Sequence, residues 1–443
     1  MASSRKSNLA DTVAARLAPL LPKHSHILIG LSGGMDSSVL LHLLNQLTPR
    51  FQWRLSALHV HHGISRNADT WADFCGRLCA GYGIPLHVER VDIGPLRDEH
   101  GIEAAARKLR HAAFAKQSCD AVALAHHADD QAETLLLQLL RGAGIKGAAA
   151  MPAFKPAAAG IPATLRPLLD VPRKELLEFA QQHSLQWVED ESNADERYPR
   201  NFLRHRMLPL LEQQFPACRD TLARSARHFA EAGDLLDELA QQDAPGLSGG
   251  GGLEVRLLRG LSHSRAKNLL RYFLHVRSVP MPHEAQLDEM LRQLLDARED
   301  AAICVETGLW QVRRYQGKVY AVRALCEFDP ALVLRWNGEA ELEWPATGML
   351  LSFGRTIGQG VSLDRLMRAP VTLRLRNGGE SLCPRPGATP RSLKNLLQEY
   401  QVPPWQRERL PLLYSGDTLV AVVGVSIAAE FQAADHEAGL VVA

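Results

Sequence analysis

Between residues 26 and 140 the chain switches repeatedly between two periodicities, and this alternation constrains its fold more than any other feature. Apolar runs at 26–31, 54–60, 85–91 and 120–125 have the length of buried strands. Helical spacing follows each of them, at 37–47, 69–82, 102–116 and 128–140. In the first of these, Val39, Leu40, Leu43, Leu44 and Leu47 share one face. Strands separated by helices of this length pair in parallel, through crossover connections. The expected fold is therefore α/β, with a parallel, doubly wound, Rossmann-type domain over residues 1–215. Ligands of such sheets bind beyond the carboxyl ends of the strands.

After residue 215 the pattern changes. Residues 217–242 read as one long helix, followed by a Gly-rich run at 248–252, so that 216–250 form a linker. Helical segments at 264–276 and 284–295, then strand-like 302–306, 310–315 and 318–322, suggest a small α+β domain at 251–330. Residues 335–443 are strand-rich, with one helix near 392–400, and read as a second small α+β domain. An amphipathic helix at 9–21 leads into the first strand.

Fifty Lys and Arg oppose forty-nine Asp and Glu among 443 residues, and 46% of the chain is hydrophobic. This excludes a mostly disordered chain and a uniformly basic one, but not a local basic patch. Seven scattered cysteines argue against a secreted disulfide framework. Cys75 and Cys79 lie one helical turn apart, and read as helix residues rather than metal ligands. The longest apolar run, near 419–429, is about half of the ~20 residues a membrane helix needs. The expected location is cytoplasmic, with no membrane contact. A homodimer is left open.

The first strand runs into Ser32-Gly33-Gly34-Met35-Asp36-Ser37. Two glycines permit a tight turn and close approach of backbone to a ligand. The N–H groups that open the next helix favour an anion, and Ser32 and Ser37 add hydroxyl donors. There is no Walker lysine. A carboxylate beside a phosphate makes sense if Mg²⁺ sits between them, which makes Asp36 the candidate metal ligand. The segment resembles the PP-loop of the N-type ATP pyrophosphatases, which cleave ATP between its α- and β-phosphates and adenylate a carbonyl-type oxygen.

Further constellations stand where ligands are expected. His59, His61 and His62 end the second strand. They suggest a metal when read alone, but a polar loop at the sheet edge explains them as well. Glu103, Arg107 and Arg110 share a helix face, as a solvated pair or as arginines aimed at phosphate. His126-His127-Ala128-Asp129-Asp130-Gln131-Ala132-Glu133-Thr134 opens the helix after the fourth strand. Its acids could bind a metal, recognise a cation, accept a proton or match the helix dipole. Four arginines and no acid lie between Arg197 and Arg206. From Arg365 to Arg409 there are nine Lys and Arg against three Asp and Glu.

In this order the segments are similar to those of the lysidine synthase family. His59-Val60-His61-His62-Gly63-Ile64-Ser65 looks like its H-V-x-H-x-L-R stretch, from which Ile64-Ser65-Arg66 depart slightly, and Glu103, Ala106, Arg107 and Arg110 meet its E-x2-A-R-x2-R, with His111 in place of tyrosine. Asp129 to Thr134 match D-D-Q-x-E-T, and Arg141-Gly142 with Gly144 match R-G-x-G. Asp190, Ser192 and Asn193 resemble D-x-S-N, and Arg200-Asn201 with Arg204 resemble R-N-x-x-R. Residues 393–407, including Lys394 and Arg407, resemble the family's C-terminal domain.

The resemblance implies a C–N-bond-forming ligase that uses Mg-ATP, free L-lysine and a tRNA(Ile) with anticodon CAU. It places ATP on Ser32, Gly33, Gly34, Met35, Asp36, Ser37, Arg107 and Arg110, and catalysis on Asp36, Arg107, Asp130 and Glu133. Asp130 and Glu133 would meet lysine; Arg200, Arg204, Arg206, Lys394 and Arg407 would meet tRNA. A tRNA thiolation enzyme is a rival, but Cys75, Cys79 and Cys119 form no C-x2-C beside the loop. A nucleotide-sensing RNA-binding protein is another, opposed by the presence of Ser32, Asp36, Asp130 and Glu133 together.

Overall fold

The four anticipated strands pair in parallel in the computed structural model, which describes residues 8–96, 101–158, 160–247, 251–298, 303–324, 328–387 and 389–443. The expected Gly-rich run at 248–252 and strand at 302–306 lie partly outside the described residues. The side chains of Glu103, Ser192 and Asn193 are outside them as well.

The elements of the first sheet are α1 (Leu9–Leu17), β1 (His26–Gly30), α2 (Met35–Phe51), β2 (Arg54–His61), α3 (Ala68–Tyr82), β3 (Leu86–Arg90), α4 (Ile102–Ala115), β4 (Ala121–Ala123), α5 (Ala128–Leu140), β5 (Phe154–Lys155), β6 (Ala163–Leu165) and α6 (Arg173–Gln182). The strand order is β3-β2-β1-β4-β6-β5, parallel except for β5 against β6. Successive residues of β1 face opposite sides of the sheet. Ile27 and Ile29 pack with Val13 of α1, Leu40 of α2, Cys75 of α3 and Leu176 of α6. Leu28 packs with Leu58 and Val122 against Ala113 and Phe114 of α4. Both faces are covered, which is why the strands read as continuous apolar runs.

α1 ends at Leu17 instead of residue 21, because Pro19 has no N–H to continue the ladder. β5 and β6 were not anticipated, and at two and three residues they carry no readable period. Residues 199–214 form a helical segment with a π-turn at Leu203–Met207. Pro209 follows that turn; a proline inside a helix clashes with the carbonyl four residues back, and the widened turn makes room.

The chain divides into two compact units, 1–238 and 239–443, and α7 (Cys218–Asp243) runs from the first into the second. Within the second unit, α8 (His263–Val276) and α9 (Glu284–Asp296) cover an antiparallel sheet. Its strands are β7 (Leu253–Glu254), β8 (Cys304–Thr307), β9 (Trp310–Tyr315) and β10 (Lys318–Arg323), in the order β7-β10-β9-β8. Phe273 and Met290 meet Val312 and Val319 in its core. After residue 328 a separate core forms around Trp336, Trp344, Leu373, Leu413 and Val420, between two further antiparallel sheets. The expected helix is present as Leu393–Glu399, and two unanticipated four-residue helices, Leu363–Leu366 and Pro404–Arg407, accompany it. Among the described residues, no helix is long and apolar enough to cross a membrane.

Candidate active site

The loop after β1 is built for close approach. Gly33 has φ +86°, and a Cβ there would stand 3.0 Å from Val188 Cγ2 and 3.2 Å from Cys75 Sγ. Its carbonyl accepts from Val188 N at 3.0 Å. Gly34 caps the 17-residue α2 in an extended conformation, without a side-chain cap, so the first N–H groups of the helix remain for a ligand. Ser37 Oγ donates to Gly34 O at 2.9 Å and lies 3.1 Å from Ser32 Oγ.

Histidines that looked like a metal cluster serve different ends. His59 is buried, with Nδ1 2.9 Å from Leu31 O, and so props the start of the loop from below. His61 Nε2 lies 3.3 Å from Asp69 Oδ1. Burial, then Arg110 and the neighbouring histidines, hold His62 down at about 4. Among the described residues no group of three His, Cys, Asp or Glu could hold a metal ion. Burial pushes the Cys75 and Cys79 thiols up to about 12 and 11, which leaves them protonated and inert.

Beyond β4 the chain forms an acidic nest around one histidine. His127 caps α5 through a reciprocal pair: its N–H donates to Asp130 Oδ2 at 3.0 Å, and its Nδ1 accepts from Asp130 N at 3.4 Å. His127 Nε2 lies 3.6 Å from Asp36 Oδ2, which links this nest to the phosphate loop. Burial opposes charge on His127, but Asp130, Asp36 and Asp129 outweigh it and raise its pKa. Asp36 Oδ1 is buried and has no hydrogen-bond partner among the described residues. A buried carboxylate oxygen without a donor fits a cation. Mg²⁺ takes only one or two carboxylates beside phosphate and water, so a lone Asp36 suits it.

Two predicted sets meet here that were expected to act apart. Glu133 is fully enclosed, and its oxygens accept from Arg200 Nε at 2.7 Å and from Arg204 Nε at 2.6 Å. Asp130 Oδ1 accepts from Arg200 Nη2 at 2.7 Å and Arg204 Nη2 at 3.1 Å. The arginines are one turn apart, so both reach the same face of α5. Burial opposes the Asp130 charge, yet His127 and the arginines hold its carboxyl well below the usual range. The run of arginines is therefore not an open basic patch: Arg200 and Arg204 find their counter-charges on α5, and the other two on the acids just before the run. Arg197 pairs with Asp195, and Arg206 with Glu196 at 2.8 Å.

Arg107 is exposed on α4, and Arg110 stands one turn further on. Arg166 was not anticipated. It follows β6, is 7% exposed, and donates from Nη1 to Pro152 O at 2.8 Å and from Nε to His126 Nδ1 at 3.2 Å. Arg219, also unanticipated, ties Asp129 Oδ2 at 3.0 Å. Beside these lies a cavity of about 590 Å³ lined by charges of both signs, among them Asp129, Glu133, Arg173, Arg204, Glu212 and Arg219.

In the second unit, Lys394 is exposed with no ion pair among the described residues. Arg407 is half-buried instead: it donates from Nε to Val402 O at 2.7 Å and from Nη2 to the Tyr315 hydroxyl at 2.8 Å. Trp405 packs edge-on against Tyr315 and Tyr320. Arg407 thus clamps two cores of its own unit together. Much of the basic excess after residue 365 is also matched internally, as Arg365 with Glu437 and Arg374 with Asp417.

Family models match three stretches: a PP-loop domain over residues 5–211, a TilS substrate binding domain over 253–320, and a TilS substrate C-terminal domain over 371–443. The tRNA(Ile)-lysidine synthase of Nitrosomonas europaea is 42% identical, over 99% of this chain and 95% of its own. That of an Azoarcus species is 43% identical over 94% and 91%, and that of Coxiella burnetii 38% over 95% and 93%. With a phosphate loop joined to an acidic nest, and full-length likeness at this level, the chain belongs to the tRNA(Ile)-lysidine synthase family.

Proposed function

We propose that this protein is an ATP-dependent ligase that joins L-lysine to C2 of the wobble cytidine of tRNA(Ile) with anticodon CAU. The observation that carries the reading is the contact between the loop after β1 and the nest after β4, through Asp36 and His127. It supports the reading because the glycine-serine loop and the acid cluster then share one rim of one sheet, where a phosphate and an amine could be held together.

The reaction has two steps. In the first, the cytidine O2 bonds to the α-phosphorus of ATP and pyrophosphate leaves with the electron pair. The α2 N-terminus with Ser32 and Ser37 holds the polyphosphate, while Arg107 and Arg110 meet charge as it builds. Asp36 would hold Mg²⁺, which neutralises phosphate charge when bound. In the second step, the lysine ε-amine bonds to C2, the C2–O bond breaks, and AMP leaves. Deprotonating that amine at pH 7 costs about 4.6 kcal/mol, from a pKa near ~10.4. A carboxylate stabilises the ammonium and accepts the proton once attack acidifies the nitrogen.

Of the two acids expected to meet lysine, Asp130 retains a little exposure and Glu133 none. We therefore give lysine contact to Asp130, and give Glu133 the task of holding Arg200 and Arg204. The mixed charge of the adjoining cavity suits a zwitterionic amino acid. Phosphates of the tRNA fall to Arg206 and to Lys394, which face solvent. The cytoplasm, where tRNA is modified, is the location this reading requires.

Pyrophosphate release tests the assignment. It should need tRNA with a wobble cytidine, proceed without lysine, and be abolished in Asp36→Ala. Asp130→Asn should slow lysine incorporation more than pyrophosphate release; equal loss of both removes Asp130 from the lysine step.

A further inference from the structure

The two adjacent histidines after β4 stand in opposite electrostatic settings. His127 is ringed by carboxylates, as described above. His126 faces a guanidinium: Arg166 Nε lies 3.2 Å from its Nδ1. Arg166 is buried and has no carboxylate partner among the described residues; burial and the nearby Arg107 press its pKa down to about 10. It still carries its charge at neutral pH, and a guanidinium can only donate. The ring nitrogen opposite must therefore be an acceptor, so the single ring proton sits on Nε2. Protonating Nδ1 would set two like charges against each other. Burial, with Arg166, Arg110 and Arg200 outweighing Asp130, keeps His126 down at about 3. Its Nε2–H has no acceptor among the described residues.

Strand register says which edge of the sheet the His126 segment leaves. Ile29 of β1 pairs with Ala123 of β4. Ser32 and His126 each come three residues later, so the two segments leave the carboxyl edge of the sheet from neighbouring strands. An unpaired buried guanidinium lowers stability. A purely structural role would be met better by an apolar residue or a paired one.

We propose that Arg166 is a positioning residue for adenylation, fixing His126 as a neutral Nε2–H donor to a non-bridging oxygen of the ATP α-phosphate. The proposal rests on the lysidine-forming reading above. As the cytidine O2–phosphorus bond forms and the bond to the β-phosphate breaks, charge on the non-bridging oxygens rises. The hydrogen bond from His126 strengthens, and the ring keeps its proton throughout.

The test has two parts, both on the full chain. In the first, wild-type protein labelled with ¹⁵N-histidine is examined by long-range ¹H–¹⁵N correlation over about pH 6–8. One imidazole, identified by its absence in His126→Gln, should show an unprotonated Nδ1 and a protonated Nε2. An Nδ1–H tautomer or a charged ring overturns the proposal. In the second, single-turnover pyrophosphate release is followed with saturating ATP and tRNA. Arg166→Met should slow it about 10- to 100-fold with the ATP KM nearly unchanged. Arg166→Met with His126→Phe should be no slower than His126→Phe alone. Additive losses, or an undiminished Arg166→Met, overturn the proposal. If Arg166→Met does not fold, the tautomer measurement on wild-type protein decides. A wild-type protein that releases no pyrophosphate defeats the functional reading itself, which separates the two failures.

Discussion

His127 Nε2 and Asp36 Oδ2 lie 3.6 Å apart, and through them the loop that follows β1 touches the helix start that follows β4. Neighbouring parallel strands bring the two segments to one edge, although 91 positions separate them in the chain. The contact makes one site of a phosphate cradle and an acid cluster. An enzyme that first adenylates a base and then delivers an amine to it needs both within reach of one atom.

The enclosed carboxylate of Glu133 holds two arginines, so its loss strands charge in the interior. Glu133→Gln should destabilise the chain by about 3 kcal/mol, read as a melting temperature lower by roughly 5–10 °C. Glu196→Gln, which breaks only the exposed pair with Arg206, should leave it within about 1 °C. Equal effects from both variants would mean that the buried quartet adds nothing special.

Gly33 and Gly34 should differ when replaced. Gly33→Ala forces a Cβ onto a residue with φ +86° and against Val188 and Cys75, a strain of about 1–3 kcal/mol. We expect pyrophosphate release to fall by at least about tenfold. At Gly34 the nearest atom to a new Cβ is Ser32 Oγ at 3.4 Å, so Gly34→Ala should fold with an unchanged melting temperature. Comparing melting curves and release rates for the pair checks both statements.

Acid should weaken the fold before its carboxylates titrate. His62 is held at about 4, chiefly by burial and then by Arg110. Its folded pKa lies below the ordinary value near ~6.5, so the unfolded chain binds a proton in the window between them and the folded chain does not. The stabilisation is complete above about pH 6.5 and is lost as pH falls toward 4. The melting temperature of His62→Gln should therefore depend less steeply on pH across that window than that of the wild type. A parallel dependence would remove His62 from the account.

Lys394 and Arg407 carry the same charge but should fail in different assays. Lys394→Ala should weaken tRNA binding and reduce the slope of affinity against salt by about one. Arg407→Ala releases Tyr315, so it should speed amide exchange in β9 and around Pro404–Arg407. Unaltered exchange in Arg407→Ala would contradict the clamp.

The contrast between these residues explains what could be read in advance. The phosphate loop was legible because its chemistry is local: strand, two glycines, two serines and an acid lie within a dozen positions. The parallel sheet was legible because β1 and β2 are buried on both faces and leave apolar runs. β6 was not, being three residues long, and Arg166 at its end was missed with it. Arg200 and Arg204 were visible as charges, but their counter-charges, Glu133 and Asp130, lie 67 to 74 positions upstream. A count of nearby acids could not reveal that pairing. The internal partner of Arg407 was hidden for the same reason, since Tyr315 stands 92 positions away.

Whether the chain makes lysidine is decided by lysine incorporation into tRNA. The protein would be incubated with Mg-ATP, radiolabelled lysine and a tRNA(Ile) transcript with anticodon CAU, beside a transcript carrying uridine at the wobble position. Label is expected in the cytidine transcript alone, dependent on ATP and lost in Asp36→Ala. Label in both transcripts, or pyrophosphate release with no lysine incorporated, would contradict it.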